Sequence, residues 1–557
     1  MREVHRKLGV HKRFFGRNMP EVIVERNEPL LPHDTEAASG ISGTVMLAKD
    51  VQLSLCRNRI MWLRLPSRGG ERGFDMADVL GCSALDNPPR LVLHAAPRAR
   101  GGFCGLKAPA RQRNTKELLC SFFEQATSVC STVRQLLGTD GGSAPRRPWL
   151  VLINPFGGGG KAPRVWAELE RLLEPLNLLY DITRTTHAGH AYELGAKLSV
   201  GAYEGVISVS GDGLVYELVN GMMSRADGAA ALVATTIFPV PGGTGNALFR
   251  SICHRSNEKD DLLGAAFILA KGRATPLDLW EYVRPDAPLA SLEAGVTSAP
   301  ASAADASSLS NAASVDAPTA APTAAPTAAP TAAPTAQAPA GNGGAPTSLA
   351  PGALVAWSIL SFAWGIVADV DIESEVLRGL GALRLTLWAI WRLISFRQYA
   401  GTLHYLDAAD DTWKEIRSDR FVGLWACNVP YMSQTDFAAP HAEFANGVLD
   451  VLVLENTTRL QALDMFLSIE DGASLIAPLN ASLLPLNVSE WRLGLPPSSG
   501  THLGKRGLSL LKLKAFRFEP APRTPASPGI LDIDGEVVPF GPIEVRPHPS
   551  GLRVLSM

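Results

Sequence analysis

Between Ile207 and Gly221 the chain reads ISVSGDGLVYELVNG, an apolar strand pattern that meets Ser210-Gly211-Asp212-Gly213 and continues as a helix pattern. A carboxylate at the end of a buried strand is out of place unless it caps a helix or does chemistry. The two flanking glycines leave room for a substrate to reach it. The chemistry it suits is that of a general base, taking a proton from an attacking hydroxyl. Two further glycine turns, INPFGGGGKAPRVW (153–166) and PGGTGNAL (241–248), also follow apolar strands and open helices. All three turns are therefore expected at the carboxyl ends of parallel strands, around one cleft. Bare glycine backbone and helix N-termini offer N–H donors at close approach, which is how a polyphosphate is held. Phosphoryl transfer asks mainly for positioning and charge neutralisation, and such loops with Mg²⁺ supply both.

The first loop alone is ambiguous. A Walker A loop needs a glycine at 155 and a hydroxyl at 162, where this chain has Pro155 and Ala162. Gly157, Gly159 and Ala162 satisfy GxGxxA, with Asp181 at a ribose-contact distance, so on this loop a dinucleotide site stays open. An oxidoreductase of that kind has no role for the SGDG and GGTGN turns.

The elements that must position these loops alternate from Pro148 onward. WLVLINP, LLYDITRTT, GVISVSG and TTIFPVPGG read as strands, and APRVWAELERLLEPL, HAYELGAKLSV and GLVYELVNGMM as helices. That is a doubly wound α/β domain, taken as 146–276. Strands dominate afterwards, as in an antiparallel, β-sandwich-like domain over 277–557. Five copies of APTA at 317–336 lie in an Ala/Pro/Thr-rich insert, 285–350, expected to be disordered. Residues 1–145 form an N-terminal extension, untethered over 1–40 and from about 42 to 137 patterned as a small PH-like unit of strands closed by one helix. From Arg90 to Lys116 there are seven Lys or Arg and no acid, read either as a solvated basic loop or as a patch attracted to anionic lipid.

Bulk properties narrow the classes. A chain of 557 residues is modular, and 46 % hydrophobic with 19 % charged residues is globular. A net charge of −2 excludes a generally basic nucleic-acid-coating protein. The seven cysteines are scattered with no CxxC pair, which indicates neither a disulfide framework nor a zinc site. The charged N-terminus lacks a signal-peptide core. The apolar stretches 353–370 and 380–396 are ended or interrupted by Asp369, Arg384 and Arg392, short of a spanning helix. The expectation is a cytoplasmic protein that associates with membranes only peripherally.

NPFGGGGKA, SGDGLVYELVNG and PGGTGNAL together resemble the diacylglycerol-kinase-type lipid kinase superfamily, and SGDGLxxExVNG is especially similar to sphingosine kinases. SFAWGIVADVDIESEVLRGLGALR (361–384) resembles the segment with which that family binds the lipid head group and supplies arginines to ATP, and LDIDGE resembles its DGE turn. The resemblance implies ATP and Mg²⁺ as cofactors, Asp212 as the catalytic base, and a sphingoid lipid substrate phosphorylated on its primary hydroxyl. It implies ATP contacts at Asn154, Pro155, Phe156, Gly157, Thr185, Thr186, His187, Ala188, Gly189, Gly213, Glu217, Gly243, Thr244 and Gly245. Further nucleotide contacts are implied at Arg378, Arg384, Asp534, Gly535 and Glu536, and substrate contacts at Ser361, Asp371 and Glu375. Phe156 and Gly159 stand where many members carry basic residues, Tyr216 replaces a commoner His, and the usual charges of the 185–189 loop are missing.

A carboxylate at 371, beside apolar Trp364, Ile366 and Val367, could pair with a sphingoid ammonium while the alkyl chain enters an apolar pocket. The alternative is that Asp369, Asp371, Glu373 and Glu375 form a solvated acidic loop. WAIWRLISF (388–396) and the 425–437 strand-loop would line the tail pocket, although such aromatic stripes are also ordinary core. Competing functions are a ceramide or diacylglycerol kinase, which would need a neutral head-group pocket, a NAD kinase, and a scaffold with dead chemistry. The preferred base, the metal ligands and homodimerisation stay open.

Overall fold

The computed structural model describes residues 42–48, 51–56, 58–64, 72–98, 111–137, 147–285, 353–380, 383–469, 501–504, 507–524 and 527–557. The stretch 1–40 and the insert 285–350, apart from Pro285, lie outside the described residues. Two compact units result, one from residues up to Ala95 with 115–140, the other from 96–114 with Gly141 onward.

In the first unit β1 (Ser42–Ala48), β2 (Val51–Cys56), β3 (Arg59–Arg64) and β4 (Arg72–Asp75) form a sheet in chain order. A second sheet holds β5 (Val79–Leu85), β6 (Arg90–Ala95) and β7 (Asn114–Leu119), followed by helix α1 (Phe123–Leu136). Leu53 and Leu55, two apart on β2, meet Leu93 and the helix residues Val129 and Val133 in one core, as a period of two requires.

Three of the seven basic residues are committed to ion pairs. Arg90 pairs with Glu117 at 2.8 Å. Within the second unit, Arg98 and Arg111 both bond the buried Glu258 at 2.9 Å, and Arg111 lies 3.2 Å from the centre of the Phe267 ring. An acid far along the chain neutralises charges that look uncompensated in sequence.

The second unit begins with the alternation expected from Pro148. Strands β8 (Trp149–Ile153), β9 (Tyr180–Arg184), β10 (Gly205–Ser210) and β11 (Thr236–Pro241) are parallel in the order β9-β8-β10-β11. Between them run α2 (Gly157–Gly160), α3 (Ala162–Leu173), α4 (His190–Lys197), α5 (Asp212–Met223) and α6 (Gly228–Ala234). After β11 come α7 (Ala247–Arg255) and α8 (Leu262–Lys271). Helix α3 buries Ala162, Trp166, Leu169 and Leu173, a stripe at helical spacing that faces the sheet.

The remaining strands are β12 (Arg273–Val283), β13 (Leu354–Ser358), β14 (Ser361–Gly365), β15 (Tyr399–Asp407), β16 (Trp413–Cys427), β17 (Leu449–Glu455), β18 (Leu508–Pro520), β19 (Leu531–Ile533), β20 (Glu536–Val538) and β21 (Ile543–Ser556). The sequence places a break near 277, yet strand β21 pairs parallel with β11 and antiparallel with β12 and β18. The C-terminal strand thus joins both regions in one 14-stranded sheet. Strand direction changes near 277 while the hydrogen bonding continues. Trp280, Tyr282, Phe362, Trp364, Phe516 and Phe518 form the aromatic core on one face of the antiparallel part. Helices α9 (Ile366–Glu373), α10 (Leu383–Ile394) and α11 (Arg459–Ile469) complete the unit. Among the described residues no helix is long and apolar enough to cross a membrane.

Candidate active site

Strand β8 lies between β9 and β10, so the chain leaves β8 toward one side of the sheet and returns on the other. The crevice at the carboxyl ends of β8 and β10 is the topological switch point where α/β sheets bind ligands. The GGGG and SGDG turns open from these two strands. Gly158 has φ +58°, and a Cβ there would lie 2.4 Å from the Gly242 carbonyl oxygen; one on Gly243 would lie 2.2 Å from Gly211 Cα. All three glycine loops therefore touch through backbone, which no larger residue would permit.

Asp212 opens α5, but its carboxylate does not cap that helix. Oδ2 accepts the Ala247 N–H at 2.7 Å and Oδ1 the Leu248 N–H at 3.1 Å, both from the first turn of α7. The sequence offered capping or chemistry as alternatives; the geometry has the carboxylate serve a neighbouring helix. Burial raises its pKa, and backbone N–H donors, those of Ala247 and Leu248 first, oppose that. Asn246, which the motif reading passed over, fixes the third loop: at φ +55° its Oδ1 takes the Gly243 N–H at 3.0 Å and its Nδ2 donates to the Gly243 carbonyl at 2.8 Å. Asn is among the few residues that adopt such a φ, which was the available signal.

In the first loop the Asn154 side chain turns back to accept the Phe156 N–H at 3.0 Å, and Phe156 itself is exposed. In the 185–189 loop Thr185 is buried and Gly189, at φ +82°, opens α4 after Ala188. Thr186 bonds the Nδ1 atoms of His187 and His190, whose rings stack 4.9 Å apart, and His187 Nε2 reaches Glu193 at 3.1 Å. Imidazoles thus occupy a loop that lacks the family's usual charges. Glu217 anchors α4 by accepting the Ala191 N–H at 3.2 Å.

The DGE turn enters from the other side. A Cβ on Gly213 would lie 3.7 Å from Glu536 Oε1, and one on Gly535 would lie 3.9 Å from Asp371 Oδ2. Residues spread from 213 to 536 in sequence are therefore neighbours. Partial burial and the nearby Glu217, Asp371, Glu375 and Asp534 raise the Glu536 carboxyl. Asp534, expected to close over a nucleotide, faces inward: its carboxylate accepts the Ser358 hydroxyl at 2.6 Å and the N–H groups of Ile359, Leu360 and Ser361 at 2.8–3.0 Å. With four donors satisfied it orders the turn that carries Ser361, and it is a positioning group.

Burial raises Asp534 to about 6 against the pull of those donors. The folded chain then keeps this proton up to about pH 6, whereas the unfolded chain releases it at about 3.9. Stability from this group is full below the lower value and is lost as pH rises through the upper one, a span of about 3 kcal/mol. Urea unfolding between pH 4 and 7 is expected to show a flatter dependence for Asp534→Asn than for wild type; an unchanged slope would refute this.

The acidic run of α9 divides by helical spacing. Asp369 and Glu373, four apart, point to α10 and the strand beyond: Asp369 bonds Tyr399 and, at 3.0 Å, Arg397, while Glu373 bonds Arg392 and, at 3.0 Å, the Trp388 indole N–H. Asp371 and Glu375 face the cleft with Arg384, whose Nη1 pairs with Glu375 at 2.5 Å and whose Nη2 lies 3.9 Å from Asp371. This is not a solvated loop. Arg384, expected on phosphates, is held by Glu375 with Asp371 beside it, and the Arg378 side chain lies outside the described part. Trp364 does not neighbour Asp371; it packs with Tyr399, Phe421 and Phe518 in the aromatic core, while Ile366 and Val367 belong to a separate apolar cluster.

The family model for the diacylglycerol kinase catalytic domain matches residues 148–282. Sphingosine kinase 1 of Arabidopsis thaliana is 26 % identical over 429 residues, covering 70 % of this chain and 68 % of that protein. The chain thus carries a diacylglycerol kinase catalytic domain and is similar over most of its length to sphingosine kinases. Human sphingosine kinase 1 is 24 % identical over 443 residues, 73 % of this chain and 90 % of its own length. Sphingosine kinase B of Dictyostelium discoideum is 36 % identical over 269 residues, 48 % and 33 % of the two chains. The family match covers the glycine loops and Asp212, and the longer alignments extend well beyond them.

Proposed function

We propose that this enzyme transfers the γ-phosphoryl group of ATP to the primary hydroxyl of a sphingoid long-chain base. The observation that carries this reading is that the SGDG turn holding Asp212 meets Glu536 at Gly213, while Gly535, next to Glu536, meets Asp371. Asp212 takes the proton of the lipid hydroxyl, whose oxygen attacks the γ-phosphorus as the bond to the bridging oxygen breaks and ADP leaves. Residues 154–157, 185–189, Gly213, Glu217 and 243–245 surround the nucleotide, and backbone N–H groups of the glycine turns hold its phosphates. Arg384, between Glu375 and the cleft, supplies positive charge where head group and transferred phosphate meet, and Arg378 assists from the same segment. Asp371, with Ser361 and Glu375, receives the sphingoid ammonium. Gly535 and Glu536 close the cleft, with Asp534 ordering their turn.

Among the described residues no three His, Cys, Asp or Glu side chains form a group that could hold a metal. Mg²⁺, held by the nucleotide phosphates, would neutralise phosphate charge. The apolar cluster that includes Val367, Trp425, Met432 and Phe466 accommodates the alkyl tail. Exposed Leu387, Ile390, Trp391 and Ile394 on α10 support approach to a lipid surface. We further take 42–137 as the PH-like unit, 146–276 as the catalytic region and 277–557 as the lipid-binding region.

The test is product analysis by mass spectrometry after incubation with ATP, Mg²⁺ and either dihydrosphingosine or its 1-deoxy analogue. One added phosphate on the first and none on the second is expected. Phosphorylation of the 1-deoxy compound would move the reaction to another hydroxyl and overturn the assignment.

A further inference from the structure

Strand β19 carries a buried acid that the reaction above does not use. Leu531 and Ile533 point into the aromatic core, so Asp532, between them, points to the opposite sheet face. Its cross-strand neighbour there is the small Ala363, which leaves room beneath α9. Asp532 is 4 % exposed, whereas the Asp371 side chain above it is 40 % exposed to the cleft. Both meet the same backbone: Asp532 Oδ1 accepts the Gly535 N–H at 2.8 Å, and Asp371 Oδ2 lies 3.9 Å from the Cβ position of Gly535. Gly535 thus brings the two carboxyl groups side by side, and each acts on the other's ionisation.

Two carboxylates cannot share a hydrogen bond unless one keeps a proton. The charged and titratable groups around the pair are Glu375, Arg384, Asp436, Asp534 and Glu536, with the phenols of Tyr216 and Tyr282. Arg384 is the cation of this set, and Glu375 already holds it. A second charge on Asp532 would face acids on most sides, beside a polyphosphate. Burial first, and then the Asp371 charge, raise Asp532 well above the ordinary carboxylate range.

We infer that Asp532 stands protonated behind Asp371 and donates that proton to it, so the head-group pocket presents one oriented negative charge to one ammonium. Asp532 is thus a positioning residue for amine recognition. The inference rests on reading Asp371 as the amine contact. It explains why an acid is kept at a position of β19 that is buried on the face opposite the aromatic core. A pair sharing one proton also keeps a single net charge over a wide pH range.

The test uses the full chain with Asp532→Ala and Asp532→Asn. Loss of a hydrogen bond to a charged acceptor is expected to raise KM for dihydrosphingosine about tenfold in the Ala variant, with KM for ATP unchanged. The Asn amide still donates and is expected to rescue most of that loss. Infrared difference spectra of wild type minus Asp532→Asn at pH 7, taken without substrate, are expected to show the C=O stretch of a carboxylic acid. Absence of that band, or an Asn variant as impaired as Ala, would overturn the inference. If Asp532→Ala does not fold, the band and the Asn variant decide. If wild type fails to phosphorylate dihydrosphingosine, the proposed function falls, while the band still decides the proton.

Discussion

Asp212→Asn is expected to lower kcat by roughly 10²–10⁴-fold, the range for losing a positioned general base, while KM for ATP stays within about threefold. An amide has nearly the shape of the carboxylate but no basic lone pair to receive the hydroxyl proton. Its oxygen can take only one of the Ala247 and Leu248 N–H groups that Asp212 accepts. Its NH₂ then confronts the other, an unsatisfied contact costing about 1–3 kcal/mol. Thermal unfolding should therefore show a weakened but folded protein, separating the lost chemistry from lost structure. The wild-type pH–rate profile gives a second reading. Burial raises Asp212 above the ordinary carboxylate pKa, so activity is expected to fall as pH drops through a value above about 3.9. That acid limb should be missing from the residual activity of the variant. An Asn variant as active as wild type would remove Asp212 from the chemistry and leave it only as the cap of α7.

Asp371→Asn is expected to raise KM for a sphingoid base by roughly 10- to 100-fold, the worth of a hydrogen bond to a charged group. ATP affinity should be little changed, because Asp371 meets the nucleotide side at Gly535 and, more loosely, at Arg384, 3.9 Å away. Arg384 keeps its closer partner Glu375 in this variant, so the local fold should persist. Discrimination against ceramide, whose nitrogen carries no charge, should shrink as well, since the variant no longer favours an ammonium. Titrations of lipid and of ATP check the split. Equal losses in both would mean that Asp371 supports the whole cleft instead of reading the amine.

The strand–turn–helix identity of the glycine loops was legible because each signal is local: an apolar run, a glycine turn, then a helical period. The α/β alternation follows from the same short-range rules, and its strands and helices lie where the sequence predicts them. The pairing of β21 with β11 joins Thr236 to Arg553, and nothing within a short window announces so distant a register. The site was readable as a set of residues but less so as directions. Asp534 is part of the DGE motif, yet its carboxylate turns toward Ser358–Ser361 because the unpaired N–H groups of that turn need an acceptor. The division of the acidic run 369–375, with Asp369 and Glu373 on one side and Asp371 and Glu375 on the other, could have been read from their four-residue spacing. Trp364 parts from Ile366 because β14 ends at Gly365, whose φ of +74° turns the chain into α9. Asp532 was invisible as a functional residue because its partner is 161 positions earlier in the chain.

The most direct measurement is transfer of labelled γ-phosphate from ATP with Mg²⁺ to sphingosine, dihydrosphingosine, ceramide and diacylglycerol in parallel, by wild type, Asp212→Asn and Asp371→Asn. Labelling of the two free-amine lipids alone is expected, with the first variant inactive and the second needing far more lipid. Labelling of ceramide or diacylglycerol in preference to them, or full activity of Asp212→Asn, would contradict the assignment of the head-group pocket or of the base.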